Sequence, residues 1–202
     1  MAFIAFLGCD GSGKSAVIRA LADRFEAEGC SVWLGHWRPT PFRVSSASAG
    51  KKAATASVED PHGQARRGRL ASIVKLGWLA TNWWTAWLRG LRGRSRTGQV
   101  LFDRYYLDLL VDPMRYRYDG PVWLVRIASR MLPRPDRVFF LDAPPEVLLS
   151  RKQEVTREAL VASRARYLEV CREAPECEII DATKPLEEVI EDVYRLIPGS
   201  KF

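Results

Sequence analysis

Histidine and cysteine are scarce in this 202-residue chain, which holds two of the first and four of the second. Cys9, Cys30, Cys171 and Cys177 lack the spacing of metal ligands, and His36 and His62 stand apart from them. That pattern speaks against a structural metal site and fits free thiols in a reducing cytoplasm. An apolar run begins at Ala2, so no leader peptide is expected and a cytoplasmic chain is. No internal repeat is present. The stretch closest to a membrane span, Leu70 to Leu91, is interrupted by Lys75, Thr81, Asn82 and Thr85, which favours a long helix packed on a sheet. Its tryptophans beside Arg89, Arg92, Arg94 and Arg96 leave a membrane-surface helix as the rival reading. The basic residues form no recognised nucleic-acid motif.

The length suits a single domain, residues 1–202, with an ordinary hydrophobic fraction of 47%. The net charge of +7 calls for an anionic partner: nucleotide, nucleic acid or membrane. The informative stretch is Gly8-Cys9-Asp10-Gly11-Ser12-Gly13-Lys14-Ser15, set between the apolar run Ala2 to Leu7 and the helical pattern from Ala16. It satisfies every fixed position of the phosphate-binding loop G-x-x-x-x-G-K-[ST]. Glycines let successive N–H groups face inward as an anion nest, and the helix adds its positive end. Lys14 is suited to reach outer phosphates, and the Ser15 hydroxyl to ligate phosphate-bound magnesium. A nucleoside triphosphate ligand is expected.

The remaining chain alternates apolar strands and helices. Strands are expected at Cys30 to Leu34, Gln99 to Asp103, Arg137 to Asp142 and Glu178 to Asp181, after the first at the N-terminus. Helices are expected at Ala16 to Glu28, Tyr105 to Val111, Val122 to Leu132, Pro145 to Lys152, Glu158 to Cys171 and Leu186 to Leu196. Thr40 to Val58 reads as a long loop and Asp60 to Gly63 as a turn before a basic cluster at Arg66, Arg67 and Arg69. The fold expected is α/β: a three-layer sandwich with a five-stranded parallel sheet and helices on both faces. Ligands of such sheets bind at the carboxyl ends of the strands, where Gly8, Arg38, Asp103 and Asp142 gather. Asp103 is suited to hold magnesium, and Arg104 to grip an acceptor phosphate through paired hydrogen bonds. For Arg115 and Arg117, acceptor contact and a solvated loop are equal readings, as are acceptor contact and loop hydrogen bonding for His36 and His62. Cys9 reads as a small filler within the loop.

Together these blocks resemble the thymidylate kinase-like branch of the P-loop nucleoside monophosphate kinases. The residues that carry the resemblance are Gly8 to Ser15, Leu101-Phe102-Asp103-Arg104-Tyr105, Phe140 to Glu146 with Arg151, and Ile179-Ile180-Asp181-Ala182. The resemblance implies ATP as phosphoryl donor, magnesium, an arginine-bearing lid over about 151–158, an acceptor-binding insert over about 36–97, and a homodimer. It implies an ATP site of Gly8, Asp10, Gly11, Ser12, Gly13, Lys14, Ser15 and Ala16, with Arg151 in the lid and Thr183 and Lys184 beside adenine. Lys14, Asp10, Asp103, Arg104 and Arg151 are the expected catalytic set, with Ser15 and Asp103 on the metal. Asp10, Arg38, Arg104, Tyr105 and Arg115 are the expected acceptor contacts.

The chain also departs from that pattern. Leu7 stands where the family usually has glutamate, and Ala16 where a second hydroxyl follows. His36-Trp37-Arg38-Pro39 and Asp112 to Tyr118 replace the usual acceptor-side segments. The donor half is kept and the acceptor half is rewritten. The acceptor is therefore either a nucleoside monophosphate resembling dTMP or a sugar or glycolipid hydroxyl. A nucleotide-gated binding module without kinase turnover is the reading from another class.

Overall fold

The computed structural model of the chain describes residues 1–37, 45–46, 68–153 and 155–198. Arg38, His62, the turn from Asp60 and most of the loop from Thr40 to Val58 lie outside the described residues. So does much of the expected insert.

Five parallel strands form the sheet: β1 (Phe3–Leu7), β2 (Val32–His36), β4 (Gln99–Asp103), β5 (Arg137–Asp142) and β6 (Cys177–Asp181). A two-residue strand, β3 (Ser45–Ser46), pairs antiparallel with β2 and was not expected from the sequence. The order across the sheet is β3-β2-β4-β1-β5-β6. β1 is central and every one of its five residues is buried, because helices cover the sheet and leave no solvated side for alternation. Phe6 stands in register with Asp103, and Leu7 with Phe140. The strand ends that precede Gly8, Arg104 and Ala143 therefore open at one rim.

The helices are α1 (Lys14–Ala27), α2 (Arg69–Ala86), α3 (Arg92–Thr97), α4 (Asp108–Val111), α5 (Val122–Met131), α6 (Pro145–Arg151), α7 (Arg157–Glu173) and α8 (Leu186–Leu196). α2 drives Trp83 into the core, where its ring centre lies 5.2 Å from Phe102 and 4.9 Å from Tyr105. α7 stacks Tyr167 on Phe140 at 5.0 Å, and α1 meets α8 through Phe25 and Tyr194. Among the described residues no helix is long and apolar enough to cross a membrane.

Several boundaries differ from expectation for local reasons. The second strand starts at Val32 rather than Cys30, because Gly29 turns left-handed (φ 78°) and Cys30 N–H donates to Phe25 O at 2.8 Å, closing α1. The helix expected over Leu70 to Leu91 stops being α-helical at Ala86. It passes through a π-helical turn, Trp87–Leu91, where Gly90 leaves helical geometry, and resumes as α3. Of the expected lid, Arg151 ends α6 and Arg157 and Glu158 begin α7, whose first turn is capped by the Thr156 hydroxyl. The expectation of four free thiols fails at two of them. The turn from α7 into β6 brings the Cα atoms of Cys171 and Cys177 to 5.1 Å, and their sulfurs are bonded.

Candidate active site

The glycine-rich loop joins β1 to α1 and is shaped by three positive φ angles, 151° at Gly8 and 87° at both Gly11 and Gly13. A Cβ at Gly8 would sit 2.7 Å from Ser12 Oγ and 3.0 Å from Leu141 O, and one at Gly11 would sit 2.9 Å from Leu148 O. Both positions need glycine for conformation and for space. Gly13 is the N-cap of α1 and no side chain caps it, so the positive end of the helix faces the loop. Lys14 is buried, and its ammonium donates to Gly8 O at 2.8 Å, Cys9 O at 2.9 Å and Ser12 Oγ at 3.3 Å. Burial, helped by the nearby Arg104 charge, pulls its pKa down. Cys9 is buried too, and burial pushes its thiol up to about 11, which suits a filler rather than a nucleophile. Ser15 and Ala16 are exposed on the first turn of α1.

Asp10 is the centre of an arginine clasp beside the loop. Arg104 Nη2 donates to its Oδ1 at 2.6 Å, and Arg115 Nη1 donates to its Oδ2 at 2.9 Å. Burial works against the carboxylate, but the two guanidinium groups outweigh it and hold Asp10 well below the usual carboxylate range. Arg104 is itself nearly buried and has a left-handed backbone, φ 72°, which is strained for a residue with a Cβ. Its N–H donates to Phe6 O at 3.0 Å, and its other guanidinium nitrogen lies 3.6 Å from Asp108 Oδ1. Asp108 is fully buried and accepts from Tyr105 N–H at 3.0 Å and from the Tyr167 hydroxyl at 2.5 Å. Burial raises its pKa despite those partners. Together these residues enclose a cavity of roughly 60 Å³ shared by Asp10, Arg104, Arg115, Tyr116 and Ser163.

Because folding lowers the Asp10 pKa, its stabilising contribution is complete above the ordinary carboxylate value near 4 and is lost as pH falls through the lower folded value. Asp10→Asn is expected to cost roughly 1–3 kcal/mol of stability. The deficit should be the same at pH 8 and pH 5 and should shrink only in stronger acid. Urea unfolding of both proteins across pH checks this; a deficit already halved at pH 6 would assign the effect to another group.

Asp103 ends β4 beside the loop. Its Oδ2 lies 3.4 Å from His36 Nδ1, while its Oδ1 is buried without a hydrogen-bond partner among the described residues. Burial opposes its charge, but His36 and Lys14 win and its pKa falls. An ionised carboxylate with one unpartnered oxygen is the kind of group a divalent cation takes, so the donor chemistry of Asp103 and Ser15 fits magnesium.

The other expected site residues are distributed unevenly. Arg151 Nη1 donates to Ala182 O at 3.0 Å, which joins it to the turn carrying Thr183 and Lys184. Those two are held locally, Thr183 by Asp181 and Lys184 by Asp192. Tyr105 does not join Asp10, Arg104 and Arg115. Its hydroxyl donates to Pro133 O at 2.7 Å and its ring packs on Trp83 and Phe3, because the left-handed turn at Arg104 directs it into the core. Trp37 and Tyr116 pack together at 4.9 Å, and Tyr116 lines the cavity instead. Two supports were missed in the sequence. Arg164 grips Asp142 with both Nε and Nη2, at 2.7 and 2.8 Å, and Asp108 with Tyr167 braces Arg104. Arg164 lies 22 residues from Asp142 and Tyr167 lies 59 from Asp108, so neither pairing carries a local signal; Asp108 itself is only four residues from Arg104.

A parallel sheet with a glycine-rich phosphate loop at its carboxyl rim, facing an arginine clasp, has the layout of a P-loop kinase. No protein-family model matches the chain. Individual proteins do. The probable thymidylate kinase of Thermococcus onnurineus is 26% identical over 214 residues, covering 96% of each chain. The thymidylate kinase of Symbiobacterium thermophilum is 28% identical over 213 residues, 96% of this chain and 92% of the relative. The probable thymidylate kinase 1 of Saccharolobus solfataricus is 27% identical over a shorter match, 51% of this chain and 56% of that relative. The chain is thymidylate kinase-like, and divergent from these relatives.

Proposed function

We propose that the chain transfers a phosphoryl group from ATP to the phosphate of a small acceptor, a nucleoside monophosphate resembling dTMP. The observation that carries this reading is the clasp of Arg104 and Arg115 on the Asp10 carboxylate, beside the loop. Two guanidinium groups converging on one carboxylate are equally matched to a phosphate monoester. The donor phosphates would be held by the loop amides and Lys14. Magnesium, supplied with the nucleotide and held by Ser15 and Asp103, would neutralise charge on the phosphates. Lys14 and the arginines would orient donor and acceptor, which is most of what such a transfer asks of a protein. A donor of this kind implies work in the cytoplasm.

The charge state of Asp10 separates this acceptor from a sugar or glycolipid hydroxyl. A hydroxyl must lose a proton as it attacks and needs a base with pKa near neutrality. Asp10 and Asp103 are both held as weak bases by their cationic neighbours. A phosphate oxygen is already anionic and needs no base. Assaying dTMP, dUMP, CMP and candidate sugars with labelled ATP tests the reading directly. Transfer to at least one monophosphate is expected. Transfer to a neutral sugar alone would overturn it, and ATP binding without any transfer would return the chain to the binding-module class.

A further inference from the structure

Tyr116 is 5% exposed and lines the clasp cavity together with Arg104 and Arg115. Its hydroxyl is buried and has no hydrogen-bond partner among the described residues. The other phenol on that wall, Tyr167, already donates to Asp108. Tyr116 is also held firmly in place. Trp37 packs on its ring, its N–H donates to Pro113 O at 3.2 Å, and its carbonyl accepts from Lys75. Asp112 Oδ1 tightens the same turn by accepting from Arg115 N–H at 3.0 Å.

A buried hydroxyl left unpaired is destabilising, and folded proteins give nearly all such groups a partner. Here the fold fixes the position of the phenol and leaves its partner to a ligand. The cavity, at roughly 60 Å³, has several times the room that one water requires, and suits a single compact group. In a space that small the groups on the wall surround one ligand group. Burial pushes the Tyr116 phenol well above its ordinary pKa, so the hydroxyl keeps its proton. It is a neutral donor set beside two cations, and the complement of that trio is an anionic oxygen cluster.

We infer that the Tyr116 hydroxyl donates to an oxygen of the acceptor phosphate held by Arg104 and Arg115, and so helps to set acceptor specificity. The inference rests on the proposed acceptor being a nucleoside monophosphate. The guanidinium groups supply charge, whereas the phenol supplies direction. One O–H on a fixed ring is satisfied only when the phosphate sits at one depth in the cavity. Tyr116 belongs to the segment Asp112 to Tyr118, where the chain departs from the pattern it resembles.

Titration calorimetry of the full chain without ATP tests this apart from phosphoryl transfer. The ligands are dTMP, dUMP, CMP, their nucleosides and orthophosphate. Tyr116→Phe is expected to weaken binding of the monophosphate that the parent takes by about tenfold, the effect of one hydrogen bond to a charged group. ATP affinity should not change. The unliganded variant should melt no lower than the parent, because the lost hydroxyl had no partner. Equal affinity of parent and variant would overturn the inference, and a lower melting temperature would make the hydroxyl structural and overturn it too. An equal loss with the matching nucleoside would assign the hydroxyl to the nucleoside instead of the phosphate. Orthophosphate that binds as tightly as the monophosphate would make the cavity a general anion site and count against an acceptor contact. A parent that binds none of the monophosphates would overturn the inference. Tyr116-dependent binding without transfer from ATP would support the contact and count against the proposed reaction alone.

Discussion

Replacing Lys14 by alanine is expected to reduce phosphoryl transfer by about two orders of magnitude or more, the usual effect of deleting a preorganised charge that meets the transition state. The ammonium is held beside the loop by three oxygens, and it exchanges at least one of those bonds for a phosphate oxygen when donor phosphates arrive. The loss should fall mainly on kcat, because the loop amides and the end of α1 still bind phosphate. Single-turnover rates for wild type and Lys14→Ala, with ATP affinity measured separately, give the comparison. Turnover within a few-fold of wild type, with every acceptor the parent phosphorylates, would remove Lys14 from the reaction.

Arg104→Ala should act twice. It removes half of the clasp proposed for the acceptor phosphate, and an acceptor KM increase of about 100-fold is expected. It also leaves Asp108 buried without its cation, at a cost of about 3–5 kcal/mol. The two effects separate through Arg115→Ala, which touches Asp10 but not Asp108. That variant should raise KM with a smaller loss of stability than Arg104→Ala, since it loosens only the Asp10 contact. Melting curves and acceptor KM for both variants provide the test. If Arg104→Ala left KM unchanged while lowering stability, Arg104 would be a structural ion pair only.

Much of the fold could be read in advance because its signals are local. The five parallel strands are short apolar runs, and the phosphate loop is an eight-residue pattern whose glycines are required by φ and, at Gly8 and Gly11, by space. Orientation was harder. Arg104 and Tyr105 are neighbours, yet one faces Asp10 and the other Trp83, and the left-handed turn at Arg104 that separates them leaves no mark in residue type. The braces on the site come from α7, where Arg164 and Tyr167 read as ordinary helix residues until Asp142 and Asp108 are known to lie opposite. The disulfide between Cys171 and Cys177 likewise depends on a turn geometry that composition does not encode. The expected acceptor contacts already included Arg104 and Arg115; the geometry added that both close on the Asp10 carboxylate.

The Asp10 clasp has a further consequence for selectivity. A carboxylate attached to the same rim competes for Arg104 and Arg115 as a tethered ligand, at an effective concentration on the order of millimolar or above. Free inorganic anions at lower concentration cannot displace it, and a monoanion gains little by doing so. A dianionic phosphate carried on a larger acceptor has both the charge and the added contacts to win that exchange. The aspartate then acts as a threshold, keeping the arginines from small anions until a whole substrate arrives.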